Sequence, residues 1–327
     1  MRRLFALLLV LAALGAVLYA VPSDHYLFLP DRARPVDPLV QVPEEKPGGD
    51  GEAGVYMVDI LVRRASLLER LYPGFQEGAD LQPPHAVNPV GVPDSQRRKA
   101  SLNEMSRSQE IAVAVALRSL GYDVEVDERG VEVDTVVPDR PADGKLEVGD
   151  VIVRANNQPI RTREELLRTM RPVVPGAEVD LTVLRNGRRV EVTVDTEAAE
   201  DDRERAVFGV LVTQAADFEF PVDIDIDAGD IGGPSAGLAF ALNVVEELGE
   251  DDVTGGRRVV VTGALDLDGT VGEIGGIKQK VIGARNADAD LFLVPDGNAE
   301  EARRHAEDLE IVAVSTFREA MSALQTD

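Results

Sequence analysis

Cysteine and tryptophan are absent from the 327 residues, and histidine occurs only three times. Without a thiol there is no cysteine nucleophile, no Cys-ligated zinc and no disulfide to hold the fold. His25 adjoins an apolar run, His85 a proline-rich stretch, and His305 a charged segment, EARRHAEDLE, so none has a local setting that marks it as a base. Cations are scarce as well. Lys and Arg number 34 against 59 Asp and Glu, a formal net charge of −25, which argues against nucleic acid as a partner because phosphate binding needs clustered Lys and Arg. Aromatics make up 4 % of the chain, too few for base-stacking platforms. No GxxxxGK[ST] string occurs, so the sequence has no Walker-type phosphate cradle.

What is present begins with Arg2 and Arg3, followed by an uninterrupted apolar run from Leu4 to Val21. Its length sits at the lower limit for crossing a bilayer, and the basic end is the one that stays in the cytoplasm. Leu18, two residues before Ala20, departs from the small-x-small pattern of a signal-peptide cleavage site, and Ala13 with Gly15 is less well placed. We therefore read residues 1–21 as a retained single-pass anchor in the cell membrane, with the rest of the chain extracytoplasmic. Residues 22–52, rich in proline, glycine and charge, read as an extended linker.

Two glycine-led strings carry the chemistry. GGPSAG spans Gly232 to Gly237, and GGIKQK spans Gly275 to Lys280. After Pro234, suited to a first helical position, Leu238, Ala241, Leu242, Val245 and Leu248 recur at helical spacing, so Ser235 lies in the first turn of a helix. Gly232 and Gly233 permit close backbone approach, and free N–H groups there could hold an oxyanion. Read alone, the string is also compatible with a tight turn and helix cap. A serine nucleophile needs a base, and lysine serves only where apolar surroundings lower its pKa. On a helix starting near Ile277, Lys280 has Ile277 at i−3, Ala284 at i+4 and Ala287 at i+7, whereas the stripe of Lys278 includes Arg285. Lys280 is thus the better base, unless both lysines are solvated surface charges.

GGPSAG, VVVTGALDLDG, GGIKQK and LFLVP, in that order, resemble the proteolytic domain of Lon proteases over roughly 207–324. The resemblance implies that Ser235 is the nucleophile, that Lys280 is the general base, and that Thr262 hydrogen-bonds the lysine. Many members carry an acidic residue three before the serine. Gly232 stands there in this chain, so any such role is either absent or taken by Asp230.

A second resemblance covers Gly130 to Val194, which is similar to bacterial PDZ domains. Strands at Val131 to Val136 and Val179 to Val183, a turn at Asn186-Gly187 and a helix from Glu164 to Met170 fit that fold. PDZ domains add a partner's C-terminal strand to a sheet edge, and Gly121, Tyr122, Asp123 and Val124 are the candidate carboxylate loop.

Between the two lies PVDIDIDAGD. Phe218, Phe220, Val222, Ile224 and Ile226 alternate with Asp223, Asp225 and Asp227, as in one half-buried strand. The positions an EF-hand loop needs for glycine and glutamate hold Ala228 and Pro234, so no metal site is read here.

Tyr56 to Val62 reads as a strand and Gln109 to Leu120 as a helix ending at Gly121. The expected architecture is α+β: a Lon-type proteolytic domain with an inserted or preceding, mostly β PDZ domain and one N-terminal transmembrane helix. The expected divisions are 53–120 for the N-terminal part of the Lon-like domain, 121–202 for the PDZ domain and 203–327 for the proteolytic domain. The expected activity is that of an ATP-independent serine endopeptidase acting on exported or membrane-associated proteins, with no cofactor or metal and with free C-terminal tails bound by the PDZ domain. The alternative is a non-catalytic PDZ adaptor whose Lon-like domain is a scaffold. Composition and motifs do not fix the oligomeric state.

Overall fold

A computed structural model describes residues 2–43, 53–87, 92–249 and 252–325. The chain begins with α1 (Arg2–Ala20), β1 (Pro22–Pro30), β2 (Arg34–Pro35), β3 (Val40–Gln41), β4 (Gly54–Met57), β5 (Ile60–Ser66), α2 (Leu67–Leu71), β6 (Asp80–Gln82) and α3 (Pro84–Val87). There follow α4 (Asp94–Ser119), β7 (Glu125–Val136), β8 (Val151–Ala155), β9 (Gln158–Pro159), α5 (Arg163–Met170), β10 (Glu178–Arg185), β11 (Arg188–Asp195), β12 (Glu197–Ala198), β13 (Ala206–Val207) and β14 (Val210–Glu219). The last third comprises β15 (Asp225–Ile226), α6 (Gly237–Leu248), β16 (Arg258–Val261), β17 (Ala264–Leu265), β18 (Val271–Gly272), α7 (Ile277–Arg285), β19 (Leu291–Pro295), α8 (Asp296–His305), β20 (Glu310–Val314) and α9 (Phe317–Gln325). Two compact units emerge, one made of residues 1–87, 105–122 and 222–327, the other of 88–104 and 123–221.

The first unit is built on a sheet of order β2-β4-β16-β19-β20, in which β4, β16, β19 and β20 run parallel. A parallel sheet is stable only with both faces covered, and these strands are apolar on both. Tyr56, Val260, Phe292 and Val294 pack with Ile277 and Val281 of α7 and Ala299 and Ala302 of α8. The alternate residues, including Val55, Met57, Val259, Val261 and Leu293, are equally buried, and α6 contacts β4 and β16. Leu238, Ala239, Phe240, Ala241, Leu242 and Val244 of α6 are wholly buried, so this helix lies inside the unit rather than presenting a single apolar stripe.

Residues 22–43 differ from the extended linker expected of them, while 44–52 lie outside the described residues. β1 is the centre of a sheet of order β5-β1-β6, with Tyr26, Leu27 and Leu29 buried. The run Tyr26-Leu27-Phe28-Leu29 is apolar on both faces, and that local content outweighs the surrounding proline and charge. Likewise Tyr56 to Val62 is two strands, β4 and β5, in different sheets. The helix expected from Gln109 starts upstream at Asp94. The alternation from Phe218 to Ile226 breaks at Phe220-Pro221. β14 ends at Glu219, and Asp225–Ile226 pairs instead with Val40–Gln41. Proline cannot donate to a ladder, which accounts for the break.

The second unit carries a sheet of order β11-β10-β8-β7-β14. Its core includes Val131, Val133, Ile152, Leu166, Val179, Leu181 and Val194. β10 and β11 form a hairpin closed by Asn186 (φ 50) and Gly187 (φ 74), the two positive-φ positions of a type I′ turn.

Candidate active site

Ser235 and Lys280 meet. Ser235 sits in the 3₁₀ turn Pro234–Ala236 that leads into α6, with Gly233 at φ 89 and Pro234 at the turn's first position. That φ suits glycine, and it turns the chain so that Ser235 leaves the loop as the helix begins. Lys280 lies one turn into α7, whose N-cap Gly276 is left-handed at φ 70. Thr262 follows β16 directly, at the carboxyl end of a parallel strand, where α/β sheets characteristically present functional groups. Lys280 Nζ stands 2.6 Å from Ser235 Oγ and 3.0 Å from Thr262 Oγ1. The ammonium donates both bonds, whereas in the neutral amine the serine hydroxyl donates to the nitrogen lone pair. Thr262 Oγ1 accepts from the lysine and donates to the Ser235 carbonyl oxygen at 3.2 Å, so one hydroxyl orients both partners.

Lys280 is only 2 % exposed, and Thr262 is completely buried. Burial pulls the lysine down to about 8, against a smaller upward pull from the Asp59 carboxylate. Ile277 and Ala284, above and below it on α7, are buried too. Lys278 is half-buried and forms no part of this cluster.

The backbone around the serine is tied down on three sides. Gly263 N–H donates to the Ser235 carbonyl at 2.8 Å, Leu238 N–H donates to Gly263 O at 3.2 Å, and Ser108 Oγ donates to Pro234 O at 3.1 Å. Among the described residues, no acceptor takes the N–H groups of Gly232 and Gly233. These are the groups available to a developing negative charge near Ser235. Asp230 is exposed.

Ser108 and Gln279 are not among the site residues expected from the sequence. Ser108 is 3 % exposed and shares a face of α4 with Met105, Ala112 and Val115, so a polar residue on an apolar stripe was the signal. Gln279 Nε2 donates to Gly78 O at 2.8 Å, and nothing local in the sequence points to that partner 201 positions away. A separate cleft of about 840 Å³, bounded by α4, α6 and α9 and lined by Val115, Leu120, Val245, Phe317 and Met321, includes neither Ser235 nor Lys280.

Two family models match the chain, a PDZ domain over residues 119–196 and the Lon protease (S16) C-terminal proteolytic domain over 211–326. These matches indicate a PDZ domain and a Lon-type proteolytic domain. Lon protease 2 of Bacillus subtilis is 31 % identical over 105 residues, 32 % of this chain and 18 % of that protein. Lon protease of Rickettsia prowazekii is 31 % identical over 124 residues, 36 % of this chain and 16 % of its own length. Lon protease of Campylobacter jejuni is 34 % identical over 94 residues, 27 % of this chain and 12 % of its own. The chain thus spans less than a fifth of the length of these relatives. Among solved structures, the PDZ domain of an SdrC-like protein from Listeria monocytogenes is 19 % identical over 26 % of this chain and 88 % of its own, with a TM-score of 0.25. A Geobacillus thermodenitrificans protein solved in solution is 31 % identical over 26 % of this chain and 97 % of its own, with a TM-score of 0.24.

Of the four candidate carboxylate-loop residues, Gly121 ends α4 with φ 87. Its N–H donates to Arg118 O, and the Tyr122 N–H donates to Leu117 O, the paired bonds of a Schellman cap. Tyr122 and Asp123 are exposed, and Val124 is buried before β7. One outer strand of the second unit's sheet is β14, which lies beyond the residues matched by the PDZ model. Gln214 of that strand accepts from Arg163 N–H at the start of α5 and donates to Arg161 O and Gly130 O. Leu211 on β14 and Leu167 on α5 are about half exposed, at 51 % and 50 %.

Proposed function

We propose that the protein is an ATP-independent serine endopeptidase using a Ser235–Lys280 dyad. The observation that carries this reading is the 2.6 Å approach of Lys280 Nζ to Ser235 Oγ in a site where burial lowers the lysine to about 8. A neutral lysine accepts the hydroxyl proton as Ser235 Oγ attacks the peptide carbonyl. The N–H groups of Gly232 and Gly233 hold the oxyanion, and Thr262 keeps the amine aimed. The protonated lysine then donates to the leaving amine, and water, deprotonated by the same group, releases the acyl-enzyme. The proteolytic fold comprises residues 53–87, 105–122 and 222–327 rather than the expected 53–120 and 203–327, with the PDZ-bearing segment 123–221 inserted. The parallel pairing of β4 with β16, which joins residues 54–57 to 258–261, supports this.

The PDZ domain binds substrate or partner tails by strand addition along β14 beside α5. The Gly121 turn is the less suitable place, because two of its N–H groups are already committed to the helix cap. The anchor α1 holds the enzyme to the cell membrane with its catalytic domain outside. Reaction of the purified protein with a fluorophosphonate probe, followed by mass spectrometry, tests the dyad. A label on Ser235 that is lost in Lys280→Ala is the expected result, and an unlabelled, folded wild type favours the adaptor.

A further inference from the structure

The described helix Arg3–Ala20 is apolar, with mean hydropathy 2.3, and none of its residues is buried by the protein. It runs through Val21 alone into β1, so no spacer separates it from the folded chain. The Val21 carbonyl accepts from Leu67 N–H at 2.9 Å, which ties the end of α1 to the start of α2. α2 is itself rigidly held. Ser66 and Glu69 form a reciprocal capping box, Arg63 grips the Glu69 carboxylate with bonds of 2.6 and 3.0 Å, and Arg70 pairs with Asp24 at 2.7 Å. Yet this well-braced corner ends in Leu71, 74 % exposed, and Tyr72, 59 % exposed. No other large apolar side chain among the described residues is as exposed as Leu71.

We propose that the Leu71–Tyr72 corner docks in the outer interfacial layer of the lipid bilayer that α1 crosses. The inference rests on the reading of α1 as an anchor. At about 1.5 Å per residue α1 is roughly as long as the hydrocarbon core is thick, about 30 Å, so Val21 emerges at the boundary. Leu67, bonded to Val21, is then at the same depth, and Leu71 and Tyr72 follow within about one turn. A leucine enters the acyl edge, and a tyrosine ring belongs at headgroup level, with its body apolar and its hydroxyl wet. The corner lies beside the end of α1, because α1 and α2 pack together.

The cysteine-free chain allows a direct test. Single substitutions Leu71→Cys, Leu11→Cys and Val174→Cys are made in the full chain, labelled with a nitroxide and reconstituted in phosphatidylcholine–phosphatidylglycerol vesicles. Collision rates with oxygen and with a water-soluble nickel chelate are then read for each. Val174, 65 % exposed in the PDZ domain, reports water. The expected result is nickel collision at position 71 several-fold below that at 174, with position 11 deep in lipid. Water-like collision at 71 with position 11 in lipid overturns the docking and leaves the anchor standing. Water-like collision at 11 removes the anchor, and the docking with it. Spin–spin broadening at 71 that disappears on dilution with unlabelled protein assigns the corner to a second copy and overturns the lipid reading.

Discussion

In the proposed dyad, Lys280 serves as a base only without its charge. Its neutral form grows as pH rises through about 8, so peptide cleavage should climb through the same range and level off above it. A profile already flat from pH 6 to 9, with chemistry limiting, counts against this base. Lys280→Ala should lose at least about a hundredfold in kcat, as expected when a general base is removed, while Lys278→Ala stays within about threefold. The same burial costs stability. Because the folded pKa lies below the 10.5 of the free side chain, the unfolded chain binds the extra proton between the two values, and stability rises with pH across that window. Below pH 8 the cost is about 3 kcal/mol by linkage, so Lys280→Met should melt higher than wild type at pH 7, and the gap should close towards pH 10. Ser108 governs a neighbouring detail. A Cβ on Gly237 would lie 2.6 Å from Ser108 Oγ, so Gly237→Ala should slow acylation of Ser235, and Ser108→Ala should restore part of the rate by clearing the space.

Among the elements, α2 depends on one carboxylate. The Arg63 guanidinium first, and then the Ser66 N–H and hydroxyl, hold Glu69 down to about 2, against an opposing push from burial. Its contribution is complete above the 4.5 of a free glutamate and is lost as pH falls to about 2. Glu69→Gln should therefore be less stable than wild type by about 2 kcal/mol above pH 4.5, with the two stability curves converging in stronger acid. For β14 and α5, peptides with a free C-terminus should bind and their amidated forms should bind less well. Leu167→Asp should weaken the former without lowering the melting temperature, since Leu167 is half exposed.

How much was readable follows from where each signal lives. The Ser235 turn, the α7 register that singled out Lys280, the Asn186-Gly187 hairpin and α5 are local patterns of glycine, proline and periodicity. The break at Phe220-Pro221 was local too, but the alternation on either side masked it. Ser108 and Gln279 act on partners far away in sequence, and no periodicity encodes a partner. β1 has a weak sequence signal because its four apolar residues, Tyr26 to Leu29, stand within a region rich in proline and charge.

At the scale of the whole molecule, β4 and β16 are hydrogen-bonded neighbours although some 200 positions separate them. A fragment beginning at Asp202 would leave β16 with a bare edge and α6 without β4, so it should aggregate. Replacing Asp123 to Pro221 with a short flexible linker should leave a folded protein that still reacts at Ser235. A stable, reactive fragment from Asp202 onward would refute the insertion.

The helix bearing Lys280 also packs directly against β1, close enough that a Cβ on Gly283 would collide with the Asp31 carbonyl just beyond the strand's far end. Nine residues of strand reach about 30 Å at most, and in the proposed anchored arrangement they begin almost at the lipid surface. The lysine is therefore carried on a stiff arm of fixed length rather than on a leash. In the proposed endopeptidase such an arm would act as a ruler. With β1 along the bilayer normal, a chain emerging from the same bilayer would have to extend on the order of nine residues before its backbone reached that level, and shorter stubs should then escape cleavage whatever their sequence.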